Sequence, residues 1–438
     1  MYIILVKSPY FVLKSVLLRQ ETEQFFKFTK YRMNFPYFIS QRIQNTKTSS
    51  FSGTVTKIGV GSIAVGLAVM ILAFAVLFGF KNAINQKIFS LAGHIKVDKF
   101  SANESYEEYP ITKQTDLFRN YKNIPEITHL QTIIQKAGIL KTRQDILGVV
   151  MKGISKDFDF ERFQPNIVEG KQIEFSDSTY SKDILISKIV ANKLQLKVGD
   201  SPIIYFLNAT DRPRKLMIKG IYETSLEEFD KNLIIGDLGL IQRINAWGAD
   251  SVGSYEIYVK NFEQLDATAK AVQDKLQPDM KLEKITDTFM GLFDWLGMLD
   301  RNMVIFLTLI LFVACFNMIS ILLVLMLERT PMIGVLKALG GSDWQIRKIF
   351  LWSGFSMIFK GLIYGNIFGI GICLLQKYYK IIPLDAANYY MNTVPISLNW
   401  WVILLLNLAT ISLVVLVLII PTFVITRIEP VKAIVFRK

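Results

Sequence analysis

Residues 303–327 read MVIFLTLILFVACFNMISILLVLML, 25 positions without a charge. At about 1.5 Å per residue, a helix of that length exceeds the roughly 30 Å hydrocarbon layer of a bilayer. Lipid offers no hydrogen bonds, so such a run must satisfy its backbone internally and folds as a helix. Three other stretches, 58–80, 351–375 and 400–425, meet the same criterion, whereas residues 81–302 contain none and must form a water-exposed domain. The chain is 51% hydrophobic, as this division requires.

The second and third apolar runs are joined by ERTPMIGVLKALGGSDWQIRKIF, at 328–350. Thr330 fits an N-cap with Pro331 at the first helical position, where a missing N–H costs nothing. Met332, Val335, Leu336 and Leu339 recur at helical spacing, which predicts a two-turn helix with one apolar face. Gly340 and Gly341 end it, and Ser342 with Gln345 forms a capping box that opens the next helix. A short amphipathic helix held between two spans at the membrane surface is able to receive a push and pass it to both.

The net charge of +13 is distributed unevenly. Residues 81–302 carry 30 Lys and Arg against 31 Asp and Glu, leaving 20 basic and 6 acidic residues elsewhere. Nine of the basic residues precede the first span, four lie at 328–350 and four in the tail at 426–438. By the positive-inside rule, both termini and the connector are cytoplasmic and the large domain lies outside. The basic excess is thus a signal of topology, and nucleic acid is not an expected partner. Cys315 and Cys373 both lie in spans, so the external domain is expected to be held by a core without disulfides.

Residues 1–33 read as an N-terminal extension, with Met33 an alternative start, and 34–57 as an amphipathic segment along the cytoplasmic face. Gly66 in the first span and Gly361, Gly365 and Gly369 in the third are small residues of the kind that let helices approach closely in lipid. Lys360 lies inside the third span, where an ionisable group is a functional candidate, although its long stem can snorkel to the interface. In the external domain, segments 93–97, 148–155, 183–187, 201–207, 215–222 and 255–259 read as strands. Segments 188–196, 237–245 and 262–276 read as helices. The expected architecture is therefore four transmembrane α-helices with a large mixed α+β domain between the first and second.

Catalytic chemistry is sparse. His94 and His129 are the only histidines, and neither H-E-x-x-H nor G-x-S-x-G occurs. Glu227, Glu228 and Asp230 form an acidic group that suits either a cation or a solvated loop. No G-x-x-x-x-G-K-[ST] is present, so the chain is not expected to be an enzyme, no metal site or cofactor is expected on it, and any ATPase is a separate subunit.

From residue 34 onward, the order of span, external domain, span, connector, span, span resembles the ABC transporter permeases of the FtsX-like/MacB type, and within them the lipoprotein-releasing LolC/LolE subfamily. The segments that carry the resemblance are the connector, KDILISKIVANKLQLKVGD (182–200), GIYETSLEEFDKNLIIGDL (220–238) and TRIEPVKAIVFRK (426–438). It implies a periplasmic domain at 81–302, a periplasmic loop at 376–399 and an inner-membrane location. It further implies that the connector is a coupling helix, docking on a cytoplasmic ABC ATPase dimer that binds ATP and Mg. Met332, Val335, Leu336 and Leu339 would make the docking face, with Glu328, Arg329 and Lys337 as charged anchors.

Further implied partners are a second permease subunit, a lipoprotein substrate extracted by mechanotransmission, and a periplasmic carrier. Many members of the family have an acidic residue where Met332 stands. The hook that recruits the carrier in some members is matched only by the short NATDRPRK at 208–215. Within the same resemblance, the alternatives are an efflux permease of the MacB type and a non-transporting FtsX-like transmitter that activates a cell-wall hydrolase.

Overall fold

The computed structural model describes residues 35–44, 51–101, 108–143, 145–175, 180–207, 213–385 and 389–422. The extension at 1–33, most of NATDRPRK and the basic tail lie outside them. Among the described residues, four helices are long and apolar enough to cross a membrane. With α1 (Phe35–Gln44) first among the described residues, they are α2 (Phe51–Leu91), α6 (Met290–Glu328), α8 (Asp343–Tyr379) and α9 (Trp400–Thr422). Two of them run well beyond the spans expected from hydropathy. Helix α2 continues eleven residues past Phe80, and α6 begins thirteen before Met303. These extensions are amphipathic: Ile84, Ile88 and Leu91 repeat every three to four residues and are buried, while Asn82 and Gln86 remain accessible.

The described residues fall into two compact units. The first comprises α2 as far as Leu72, Ile305–Ile372 and the chain from Asn399. The second comprises Ala73–Val304 and Cys373–Leu398, and contains the sheet. Its principal strands are β1 (Ile95–Lys99), β2 (Ile127–Lys141), β3 (Ile146–Ile154), β4 (Ile167–Gly170), β5 (Asp183–Ser187), β6 (Ile203–Phe206), β7 (Met217–Tyr222), β8 (Leu233–Asp237), β9 (Ser254–Val259) and β10 (Met280–Lys284). They lie in the order β10-β1-β9-β2-β3-β8-β5-β7-β4, with β6 paired to one end of β2. Most neighbours are antiparallel, and β3/β8 and β5/β7 are parallel. Helices α3 (Lys188–Leu194), α4 (Leu238–Ile244) and α5 (Leu265–Gln273) also belong to the unit.

One core cluster joins Ile95, Val97, Ile134, Ile184, Ile234 and Ile257 from the strands to Val190, Ile241 and Val272 from the helices. The two histidines serve this fold. His94 Nδ1 accepts a hydrogen bond from Val259 N at 2.8 Å and its ring stacks edge-on to Phe89, while His129 Nε2 lies 2.7 Å from the Asp157 carbonyl. Asp230, the innermost of the acidic group, is buried and accepts hydrogen bonds from Thr224 N, Thr224 Oγ1 and Ser225 N. It closes its own loop.

Candidate functional site: connector helix and glycine seam

The connector forms helix α7 (Thr330–Ala338). It starts one residue earlier than expected: Arg329 is the N-cap, Pro331 sits second, and the Thr330 hydroxyl donates back to Met326 O at 3.2 Å. The stop is as read. Gly340 has φ +91°, and the N–H groups of Gly340 and Gly341 bond to Lys337 O and Leu336 O. Ser342 N donates to Gln345 Oε1 at 3.1 Å, with Gln345 N directed at Ser342 Oγ at 3.4 Å, so the capping box fixes where α8 begins.

The four apolar residues expected on one docking face are divided. Ile333, absent from that set, is completely buried in a cluster with Met326, Ile346 and Phe350, and Met332 and Leu336 pack against it half-buried. Val335 and Leu339, four apart, face outward at 48% and 79% exposure. A helix of nine residues thus uses one stripe to hold itself against the ends of α6 and α8 and leaves a second, narrower stripe open. The charged residues divide similarly. Glu328 is exposed, the Arg329 side chain is half-buried with no hydrogen bond at Nε, and Lys337 forms an ion pair with Asp343 at 2.9 Å. That ion pair ties α7 to the first turn of α8.

The glycines of α8 lie against α2. A Cβ on Gly361 would fall 2.7 Å from Ile63 Cβ and 3.2 Å from Val60 O; one on Gly365 would fall 2.9 Å from Ala64 O; one on Gly369 would fall 3.0 Å from Ala68 Cα. Ordinary contacts begin at about 3.4 Å, so at Gly361 and Gly365 a side chain would force the helices apart, and at Gly369 its neighbours would have to give by a few tenths of an ångström. Their partners advance by four along both helices, which makes α2 and α8 parallel. Gly66 is not in this seam: a Cβ there would meet only Ile310 Cγ2, at 3.9 Å. Two polar pairs supplement the helix contacts. Asn317 Nδ2 donates to Ser62 Oγ at 2.8 Å, and Asn366 and Asn407 exchange amide hydrogen bonds at 2.7 and 3.1 Å.

The sheet unit contains a network that the sequence did not single out. Lys152 Nζ lies 2.6 Å from Glu256 Oε1, with both side chains at most 5% exposed, and also donates to Leu91 O at the end of α2. Glu256 Oε2 accepts from Gln131 Nε2 at 2.7 Å, and Gln131 Oε1 accepts from Asp159 N at 3.2 Å. Each residue alternates with apolar neighbours on its strand, and nothing in a linear pattern marks it as one of a pair.

Residues 304–430 match the FtsX-like permease C-terminal domain, and residues 59–275 match the MacB-like periplasmic core domain. The chain is an ABC transporter permease of the FtsX-like/MacB type. Among its relatives is the lipoprotein-releasing system transmembrane protein LolE of Haemophilus influenzae, 22% identical over 91% of this permease and 98% of the relative. Another is the lipoprotein-releasing system transmembrane protein LolC of Neisseria meningitidis, 21% identical over 88% and 95%. The periplasmic region of MacB from Actinobacillus actinomycetemcomitans, a solved structure, aligns at 11% identity and a TM-score of 0.31 over 48% of this permease and 97% of that chain. The FtsX-like match contains α7, α8 with its three seam glycines and α9. The permease is thus the membrane subunit of a transporter, and its family implies a separate ATPase.

Proposed function

We propose that this permease extracts lipoproteins from the inner membrane for delivery to the outer membrane. The observation that carries the reading is the likeness, over 91% and 88% of the chain, to relatives named for lipoprotein release. The permease works with a second permease subunit and a cytoplasmic ABC ATPase dimer, which binds ATP and Mg. Both termini and α7 are cytoplasmic and the sheet unit is periplasmic, in keeping with the basic residues around α7 and before α2. Lifting several acyl chains out of lipid, at about 0.8 kcal/mol per CH₂, demands coupled energy.

In this reading α7 is the coupling helix. Val335 and Leu339 dock on the ATPase while Ile333, Met332 and Leu336 transfer the motion to α6 and α8. The seam glycines make α2 and α8 respond together. A short segment at 208–215 offers little reach toward a carrier, so any carrier is engaged elsewhere on the periplasmic unit.

The test is to purify the complex from its host through a tagged copy of this chain and identify its companions by mass spectrometry. An ATPase and triacylated lipoproteins are expected, with the lipoproteins released by ATP. Val335→Asp with Leu339→Asp should lose the ATPase while the permease stays monodisperse, because both side chains are already in contact with water. Co-purification of a cell-wall hydrolase or an efflux adaptor in place of lipoproteins would refute the substrate assignment.

A further inference from the structure

On the outer surface of the glycine seam, α2 and α8 enclose an open groove of about 750 Å³. One end is basic: Lys57 and Lys360 both line it, and among the described residues neither has an ion pair or hydrogen bond. The seam fixes their level, because Gly361 packs on Val60 and Ile63, which sets Lys360 about one turn beyond Lys57 along the parallel helices. Beyond the lysines the walls are apolar, with Val65, Phe368 and Ile372 exposed at 64%, 61% and 47%. From Gly61 to Leu72 the groove follows α2 for about 17 Å at about 1.5 Å per residue. That is close to half of a roughly 30 Å hydrocarbon core, the depth of one leaflet.

We propose that this groove binds one anionic phospholipid from the leaflet at the N-terminal ends of α2 and α8, with its phosphate between Lys57 and Lys360 and an acyl chain along Val65, Phe368 and Ile372. Two unpaired ammonium groups held a turn apart at the mouth of an apolar channel match a phosphodiester attached to a hydrocarbon tail. A zwitterionic lipid fits the same channel but brings a cation to the lysines. A second copy of the chain packed face to face here would bring four unpaired ammonium groups together. Lys360 thus serves neither the glycine seam nor the connector, and its place inside a span follows from its ligand.

The experiment uses the full chain purified in detergent and exposed to phosphatidylglycerol and phosphatidylcholine with matched acyl chains, the retained lipid being counted by native mass spectrometry. Each lysine near a membrane surface favours an anionic headgroup by about 5-fold, so the pair predicts a preference of roughly 30-fold. The preference should vanish in K57Q/K360Q and survive in K57R/K360R. Gly61→Phe should reduce retention of the anionic lipid with both lysines intact; a Cβ at Gly61 meets nothing within 4 Å, so the helices need not move. Equal retention of the two lipids by the wild type, a preference that persists in K57Q/K360Q, or full retention by Gly61→Phe would overturn the assignment. So would disulfide crosslinking of Tyr364→Cys between two copies in native membranes, which would place a subunit where the lipid is proposed.

Discussion

Lys152 and Glu256 provide the sharpest test of how the sheet unit is held. Both are buried, their charged atoms are 2.6 Å apart, and each has one further partner, Leu91 O for the ammonium and Gln131 Nε2 for the carboxylate. Lys152→Met removes the paired cation and leaves the Glu256 carboxylate with one neutral donor, Gln131 Nε2, and the charge of Lys96 on the neighbouring strand. Glu256→Leu leaves the ammonium with one carbonyl. Breaking a buried pair from one side costs about 3–5 kcal/mol, because the survivor is an uncompensated charge. That is a large fraction of the roughly 5–15 kcal/mol that holds a typical domain.

Removing both charges in Lys152→Met/Glu256→Leu eliminates that penalty; Leu91 O loses its partner, while Gln131 Nε2 keeps the Tyr258 hydroxyl at 3.2 Å. At about 1–3 kcal/mol for an unsatisfied buried group, the double variant should lose roughly 1–3 kcal/mol. It should therefore be far more stable than the sum of the single variants, with a coupling energy of several kcal/mol. Denaturant unfolding of the full chain in detergent, followed by near-ultraviolet circular dichroism of the sheet unit, measures all four corners of the cycle. Additive single effects, or single losses below about 1 kcal/mol, would mean that water reaches the pair and that the network is not a closed one.

Other positions give equally direct outcomes. Gly365→Val places a Cβ 2.9 Å from a backbone oxygen that cannot yield, and should cost about 1–3 kcal/mol, read as a lower temperature of aggregation in detergent, while Gly371→Ala, whose Cβ meets nothing within 4 Å, should change it little. Asn407→Leu removes both amide hydrogen bonds to Asn366, whose Nδ2 keeps Leu362 O, and should lose roughly 1 kcal/mol by the same measurement. His94 has its pKa lowered from 6.5 to about 4, first by burial and then by the charge of Arg162. The unfolded chain therefore takes up a proton below about pH 6.5 that the folded domain refuses until about pH 4. Stability is full above that window and declines as pH falls through it, by about 3 kcal/mol for 2.5 pH units at about 1.36 kcal/mol each. His94→Asn, which keeps an acceptor for Val259 N, should flatten the slope of the unfolding midpoint between pH 7 and 5.

The spans, the connector and most strands were legible because each depends on a local pattern. An uncharged run of 25 residues has one solution in lipid, and the capping box at Ser342 is written in two side chains. Two kinds of feature escaped. The longest strand, β2, contains Gln131, Thr132 and Lys136, polar residues that are nevertheless buried, and the identity of their surroundings depends on strands far away in sequence. The extensions of α2 and α6 escaped because hydropathy measures the thickness of the lipid and not the length of the helix. In the connector the error was one of angle. Met332, Val335, Leu336 and Leu339 do share a broad side of α7, but Ile333 and the ends of α6 and α8 decide which part of it is covered.

The glycine seam also restricts routes. Between α2 and α8 the contact is close enough at Gly361 and Gly365 that a single methyl group cannot be inserted without a shift, and at Gly369 it is tight. An acyl chain is wider than a methyl group, so this boundary is a wall rather than a door. In the proposed function, a cargo lifted from the bilayer passes along some other face of α2, and the lateral opening that admits it is to be sought there.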